Sequence, residues 1–129
     1  MRQPAAFKVV MLVEDDPDIA AIVSLSLQLD PQLEVIAMPS GRAALDRLSR
    51  APRPDLILID NHLPDMDGVA FATALAANAR ARPPIAFLTA AVRPSDRERY
   101  DAVGAIAVIA KPFEPTLLAS QVRALLGAT

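Results

Sequence analysis

The sequence lacks several features that would place a chain in a familiar functional class. It has no cysteine, which excludes disulfides and thiolate metal sites and fits a reducing compartment. No stretch reaches the roughly 18 apolar residues that a membrane span needs. Residues 1–6 contain a single Arg and no sustained apolar run, which is unlike a secretory signal. These absences predict a soluble protein of the cytoplasm.

A strong charge of either sign is also absent. The 13 basic and 15 acidic residues give a net charge of −2, which offers no electrostatic reason to bind nucleic acid or an anionic membrane. The 129 residues, 53% of them hydrophobic, suit one domain with one buried core. Because no repeat, low-complexity tract or linker divides the chain, we expect a single domain over 1–129 with its core at about 8–126.

Short β-branched runs alternate five times with longer segments of helical period. This alternation predicts an α/β fold in which helices cover both faces of a doubly wound, five-stranded parallel sheet. The most uniformly apolar run, 56–59, is expected at the centre of the sheet. The predicted strands are 8–13, 33–37, 55–59, 85–88 and 105–109.

Capping residues, prolines and glycines mark the helix ends. Asp16 and Ser40 are expected to cap the first two helices, and the first helix should stop at Asp30-Pro31. Ser95 and Glu98 have the spacing of a capping box for the fourth helix, which a glycine at 104 should end. The predicted helices span about 17–30, 41–50, 68–79, 96–103 and 114–126.

Polar side chains directly follow four of the predicted strands, at the edge where the carboxyl ends of parallel strands meet. Three carboxylates held close together need a hard cation with oxygen ligands to neutralise them, and Mg²⁺ is the natural candidate. A hydroxyl and an ammonium could grip an anion attached to one of the carboxylates. The residues are Glu14, Asp15, Asp16, Asp60, Thr89 and Lys111.

Several of these residues have a simpler structural explanation. Asp16 is expected to cap a helix, but one cap needs one carboxylate, so capping does not explain Glu14 and Asp15. Thr89 could be an ordinary β-branched strand residue. Lys111 could be solvated, yet it is one of only two lysines beside eleven arginines, which favours a compact point charge there.

In combination, the motifs resemble the receiver domains of two-component response regulators. The acidic pocket of that family, its phosphoacceptor strand and loop, its switch-threonine strand end and its lysine all have counterparts here, in the same order. The resemblance spans 9–126 and implies the flavodoxin-like strand order 2-1-3-4-5 of CheY-like proteins. The counterparts are LVEDDP at 12–17, PDLILID at 54–60 with Leu63-Pro64 and Asp67-Gly68, FLTA at 87–90 and KPF at 111–113.

The resemblance implies a phosphoacceptor beside a metal site. Asp60 would accept a phosphoryl group from the phosphohistidine of a histidine kinase or phosphotransfer protein. Asp15 would bind Mg²⁺ directly and Glu14 through water, with Asp60 and the backbone carbonyl of His62 as further ligands. The chain would be a signalling domain and not an enzyme, with at most self-catalysed transfer and slow autodephosphorylation. His62 and Ala91 occupy positions that would shape the access of water.

The resemblance also assigns roles to the polar residues after the last two strands. Lys111 would pair with Asp60 before transfer and with a phosphoryl oxygen afterwards. The Lys111–Pro112 peptide would be cis, which an X-Pro bond adopts at modest cost. The Thr89 hydroxyl would turn toward the phosphoryl group.

One position departs from the family pattern. Receiver domains usually carry Tyr or Phe three residues before the lysine, where this chain has Val108. Because Val108 cannot make the aromatic swing that accompanies activation, we expect signalling through backbone shifts in the loop after Thr89. The apolar strand 105–109 should lie at the sheet edge, which favours a partner or dimer contact there. A strand covered by its flanking helices is the alternative.

Output is expected through protein contacts of the face formed by the fourth helix, fifth strand and fifth helix. We expect no effector domain within the sequence beyond Leu126, and a stand-alone protein and a receiver from a larger hybrid kinase or regulator both fit the sequence.

Three other functions fit less well. A haloacid-dehalogenase-like phosphatase needs an Asp where His62 stands, and a dinucleotide module needs a Gly-rich loop after the first strand. A degenerate receiver that binds partners constitutively is the nearer alternative, and only Val108 favours it.

Overall fold

The computed structural model describes residues 7–50, 53–60, 63, 65–78, 83–90 and 93–128. Its five strands are β1 (Lys8–Val13), β2 (Leu33–Met38), β3 (Leu56–Asp60), β4 (Ile85–Thr89) and β5 (Ala107–Ala110). Its five helices are α1 (Pro17–Leu27), α2 (Gly41–Leu48), α3 (Gly68–Asn78), α4 (Pro94–Ala102) and α5 (Pro115–Ala128). Strands and helices alternate along the chain, as predicted.

All the strand pairings are parallel, and the order across the sheet is β2-β1-β3-β4-β5. This confirms the doubly wound, flavodoxin-like arrangement. It places β3 at the centre and β5 at one edge, as expected. Every residue of β3 is buried, because helices cover the sheet on both sides.

The two faces of the sheet carry separate hydrophobic clusters, because successive strand residues point to opposite faces. On the α1/α5 face, both helices share a cluster with strand residues such as Leu58 and Leu88. On the α2/α3/α4 face, the three helices share a cluster with strand residues such as Ile59 and Phe87.

Local signals explain how the first two helices begin. The carboxylate of Asp16 accepts hydrogen bonds from the N–H groups of Asp18 at 2.9 Å and Ile19 at 3.3 Å. The Ser40 hydroxyl accepts one from the N–H of Ala43 at 3.1 Å. Both caps confirm the prediction, because an N-cap acts within its own first turn.

The start of α4 differs from the prediction. The helix begins at Pro94, so the predicted cap Ser95 lies inside its first turn. The carboxylate of Asp96 accepts a hydrogen bond from the N–H of Arg93 at 3.1 Å. A proline suits the first helical position, because its φ is fixed and it has no N–H to satisfy, and this explains the shift. Gly104, with a φ of 79°, follows the end of α4 as expected.

Several other boundaries differ from the prediction by two or three residues, including the ends of α2 at Leu48 and of α5 at Ala128. Helix α1 ends at Leu27, not at residue 30, because a turn closes first: the Asp30 carboxylate accepts a hydrogen bond from the N–H of Gln32 at 2.9 Å. Strand β5 begins at Ala107, two residues later than expected.

The outer side of α1 is apolar. Ile22 and Leu25 are 51% and 67% exposed, although they recur near helical spacing on the same helix as buried Val23 and Leu27. The sheet therefore covers only part of the apolar surface of α1. None of the helices in the described part of the chain has the length and apolar character that a membrane span requires.

Candidate functional site

The carboxyl ends of β1, β3, β4 and β5 bring the predicted site residues to one edge of the sheet. Glu14 follows β1, and Asp60 and Thr89 are the last residues of β3 and β4. Lys111 follows β5, and its N–H donates a hydrogen bond to the carbonyl of Thr89 at 2.9 Å. Four separate segments therefore contribute to one crevice, as expected for an open parallel sheet.

Three carboxylates form the centre of this crevice. One oxygen from each of Glu14, Asp15 and Asp60 lies within 4.8 Å of the other two. Glu14 and Asp60 are buried, whereas Asp15 is exposed. Like charges at this separation repel one another, so the cluster favours a cation among its oxygens.

Lys111 lies beside the two buried carboxylates. Its Nζ is 3.5 Å from Oδ1 of Asp60 and 3.6 Å from Oε1 of Glu14. One ammonium cannot neutralise three carboxylates, so the site has room for further positive charge. The Lys111 side chain is 23% exposed, which leaves it within reach of an incoming anion.

Glu14 holds its proton more tightly than an ordinary glutamate. Burial, with a further contribution from the Asp60 carboxylate, raises the pKa of Glu14 to about 7, although the Asp16 N–H and Lys111 act in the opposite direction. The Asp16 N–H is 3.3 Å from Oε2 of Glu14. The other oxygen, Oε1, is buried without a hydrogen-bond partner. A buried carboxylate oxygen without a hydrogen bond is costly, so a metal cation near Oε1, in addition to the Lys111 ammonium 3.6 Å away, would stabilise the ionised form.

These donors fit Mg²⁺. The ion prefers one or two carboxylate ligands and keeps several waters. Asp15, Asp60 and Glu14 each contribute a carboxylate oxygen to one cluster, and Oε1 of Glu14 has no hydrogen-bond partner. The carbonyl expected from His62 lies outside the described residues, as do Pro64 and Ala91.

Thr89 is the last residue of β4, at the same edge of the sheet as the carboxylates. Its side chain is buried. By strand alternation it lies on the same face of the sheet as Phe87, which belongs to the α2/α3/α4 face. Val108 is paired with Phe87 in the β4–β5 register and is half-buried. The Lys111–Pro112 peptide is cis, as expected.

One contact that anchors the loop after β3 was not predicted from the sequence. The Asp65 carboxylate accepts hydrogen bonds from the N–H groups of Arg42 at 2.8 Å and Gly41 at 3.1 Å, at the start of α2. The Arg42 N–H is the main reason that the pKa of Asp65 lies below its ordinary value. The first N–H groups of any helix need acceptors, but nothing in the local sequence indicates an acceptor from so distant a segment.

A second missed feature is an aromatic pair. The rings of Tyr100 on α4 and Phe87 on β4 are stacked, with centroids 4.4 Å apart and planes at 24°. Both side chains are fully buried. The sequence offered one signal for this pair, which is that Tyr100 is a single aromatic residue within a polar helical segment.

Comparisons with known proteins agree with this geometry. The family model for the response regulator receiver domain matches residues 10–123. The transcriptional regulatory protein CseB of Streptomyces coelicolor is 34% identical over 117 residues, which are 91% of this chain and 48% of that protein. The transcriptional regulatory protein PrrA of Mycobacterium tuberculosis is 36% identical over 117 residues, with coverage of 91% and 49%. The chain therefore spans about half the length of these relatives.

Solved structures give the same result. The chemotaxis response regulator CheY4 of Vibrio cholerae matches with a TM-score of 0.83 and 32% identity, over 92% of this chain and 98% of that one. A response regulator from Chloroflexus aurantiacus matches with a TM-score of 0.83 and 29% identity, over 94% and 98%. These findings decide against the phosphatase and dinucleotide-binding alternatives. The chain belongs to the family of response regulator receiver domains.

Proposed function

We propose that Asp60 is the phosphoacceptor of a two-component phosphorelay. The observation that carries the proposal is the place of this carboxylate, buried at the carboxyl end of the central strand. It lies beside the Lys111 ammonium and within one cluster with Glu14 and Asp15. Phosphoryl transfer needs positioning and neutralised oxygens more than covalent assistance, and this arrangement supplies both.

The transfer is a displacement at phosphorus. A carboxylate oxygen of Asp60 forms the new P–O bond while the P–N bond to a partner's phosphohistidine breaks, and its electron pair stays on the imidazole nitrogen. Because the departing phosphohistidine carries a proton on its other ring nitrogen, the products are an aspartyl phosphate and a neutral histidine. The ammonium of Lys111, now 3.5 Å from Oδ1 of Asp60, would turn from that oxygen to a phosphoryl oxygen.

The acidic residues hold the metal. Asp15 and Asp60 would hold Mg²⁺ directly and Glu14 would hold it through water. The chemistry that the ion supplies when bound is neutralisation of the phosphoryl and carboxylate oxygens. Without that charge, a dianionic phosphoryl group would approach a site with an excess of carboxylates.

Thr89 responds to phosphorylation of Asp60. Its hydroxyl turns toward the phosphoryl oxygens, which biases the loops after β4 and β5 toward a second arrangement. A coupling free energy of about 1–3 kcal/mol would change the affinity of a partner several-fold or more. Hydrolysis of the aspartyl phosphate returns the site slowly to its first state.

The partner that donates the phosphoryl group is a histidine kinase or a phosphotransfer protein. An apolar hollow next to Lys111 supports its approach, because Ile19, Ile22 and Phe113 line the hollow and Ile22 is half exposed. A donor protein seated there would hold its histidine near Asp60.

The downstream partner contacts the face formed by α4, β5 and α5. Strand β5 is the edge of the sheet, and Ile106 just before it is 41% exposed, which supports a protein contact there. A second copy of the chain is the alternative occupant. We place the protein in the cytoplasm and treat 1–129 as one receiver domain, whether it acts alone or within a larger protein.

The test is intact mass after incubation with acetyl phosphate, with and without Mg²⁺. We expect a Mg²⁺-dependent gain of one phosphoryl group in the native chain and in Asp46→Asn, an exposed carboxylate on α2 that serves as the matched control. Asp60→Asn should show no gain. A folded native chain that gains no mass would overturn the phosphoacceptor proposal and favour a constitutive binding module.

A further inference from the structure

Helix α4 has little apolar surface with which to attach itself to the sheet. Its sequence, PSDRERYDA, is mostly polar, and Tyr100 is its only buried residue. An amphipathic surface helix normally presents a continuous apolar stripe to the core. The attachment of α4 therefore depends on one side chain.

The other described contacts of α4 are weak or lie outside the helix. The ion pair between Arg99 and Asp67, with nitrogen and oxygen 3.7 Å apart, joins side chains that are half exposed, and such pairs contribute little. Val103 and Ala105 pack partly against the same cluster, but they follow the last turn of α4. Tyr100 alone inserts from within the helix.

The residue on which Tyr100 packs belongs to β4, the strand that ends at Thr89. The Tyr100 ring stacks on Phe87, and both rings are fully buried. Phe87 is two residues before Thr89 on the same strand and the same face. In β5 the residue paired with Phe87 is Val108, which has no ring, so the stacking partner of Phe87 comes from α4.

We propose that Tyr100 is a positioning residue that couples α4 to the Thr89 end of β4. A rearrangement of Thr89 shifts the strand end, the Phe87 ring moves with it, and α4 follows through Tyr100. Tightly packed rings transmit small shifts because interiors are bistable and not continuously deformable. This inference rests on the proposed function, since phosphorylation of Asp60 is what moves Thr89.

The chain carries its own reporter for this coupling. Tyr100 is the only tyrosine and the chain has no tryptophan, so its intrinsic fluorescence reports on this ring alone. The first experiment records tyrosine fluorescence and acrylamide quenching in the same acetyl phosphate and Mg²⁺ samples whose mass is measured. We expect both signals to change in proportion to the phosphorylated fraction, and neither to change in Asp60→Asn.

The second experiment follows the backbone amides of α4 by NMR when the chain is phosphorylated. The α4 shifts should be present in the native chain, retained in Tyr100→Phe, which keeps the ring, and lost in Tyr100→Leu. Phe71→Leu is the matched control, because it removes a fully buried ring from α3 on the same face. It should leave the α4 response intact.

The outcomes separate this inference from the proposal on which it rests. A gain of mass without a change in tyrosine fluorescence would overturn the coupling and leave the phosphoacceptor intact. Persistent α4 shifts in phosphorylated Tyr100→Leu would also overturn it. No gain of mass in the native chain would overturn both. The fluorescence arm needs no variant at Tyr100, so it decides the matter even if Tyr100→Leu does not fold.

Discussion

The α1/α5 face and the α4 region are attached to the same sheet in very different ways. Helix α5 buries residues from several turns: Leu118, Ala119, Val122 and Leu126. It is also joined to the turn after α1, because Arg123 Nη2 lies 2.9 Å from the Asp30 carboxylate. Helix α4 buries Tyr100 alone.

This difference indicates which helix can move at a low cost in free energy. A helix with many buried side chains unfolds or shifts only with the whole core, whereas a helix with one can open locally. Both contact the sheet that carries the site, so a rearrangement there should appear in α4 before it appears in α5.

The largest expected effect is a difference between two core truncations. Leu118→Ala should lower the free energy of unfolding by about 2–5 kcal/mol and raise amide hydrogen exchange throughout the sheet. Tyr100→Ala should raise exchange mainly in 94–110, because α4 can detach without global unfolding. Exchange mass spectrometry of both variants makes the comparison. If both variants raise hydrogen exchange equally along the whole chain, α4 and α5 do not differ in how they are attached to the sheet.

Near neutral pH, the pH dependence of the free energy of unfolding should come from Glu14 in the candidate site. The pKa of Glu14 is raised to about 7 from 4.5 in the folded chain, chiefly by burial. The unfolded chain therefore loses this proton first as the pH rises. As the pH rises from 4.5 to about 7, the free energy of unfolding should therefore fall by up to roughly 3 kcal/mol.

Urea unfolding at several pH values across this window tests the assignment to Glu14. Glu14→Gln should abolish the fall, because an amide does not titrate. Glu98→Gln, which alters an exposed glutamate of α4, should preserve it. A fall that survives in Glu14→Gln would place the responsible group elsewhere.

The α2/α3/α4 face also has a tightly packed part, where the loop after β3 meets α2. A Cβ on Gly41 would lie 2.7 Å from Cγ of Met66, which is too close for a real contact. Gly41→Ala should therefore cost about 1–3 kcal/mol of stability in urea unfolding, and less when Met66→Ala is also present.

Gly127 on α5 provides the matched control, because nothing lies within 4 Å of a Cβ added there. Gly127→Ala should be neutral or slightly stabilising, since alanine is the better helix former. A similar loss of stability in both variants would show that the contact with Met66 is not the cause.

The smallest expected effect concerns the ion pair of the α1/α5 face. The Gln32 N–H and then Arg123 hold the pKa of Asp30 below its ordinary value. Its stabilising effect is therefore present above the ordinary aspartate pKa and is lost as the pH falls through the lower, folded value. Arg123→Ala should lower Tm slightly at neutral pH and less in acid or high salt.

The control for this pair is Arg50→Ala on α2. Its partner Asp46 is 3.8 Å away and both side chains are mostly exposed, so Tm should not change. If Arg123→Ala also leaves Tm unchanged, the link between α1 and α5 depends on apolar packing alone.

Much of the architecture could be predicted because its causes are local. The caps Asp16 and Ser40 act within one turn of themselves, and the apolar runs that become strands are contiguous. Where two local signals competed, the prediction was wrong. The spacing of Ser95 and Glu98 suggested a capping box, but α4 begins two residues earlier than predicted, at Pro94.

Contacts between distant segments could not be predicted in this way. The hydrogen bonds from Gly41 and Arg42 to Asp65 join segments 24 and 23 residues apart. The exposure of Ile22 and Leu25 depends on how much of α1 the sheet and α5 cover. Neither follows from spacing along the chain.

By itself, the sequence determined the order of the elements, the parallel sheet and the convergence of Glu14, Asp15, Asp60, Thr89 and Lys111 at one sheet edge. These follow from periodicity and from the rule that parallel strands present their carboxyl ends together. Only the tertiary structure decided the distances among those charges, the raised pKa of Glu14 and the stack of Tyr100 on Phe87. The physical reason is that burial and contact depend on which distant segments pack together, and local sequence does not encode that packing.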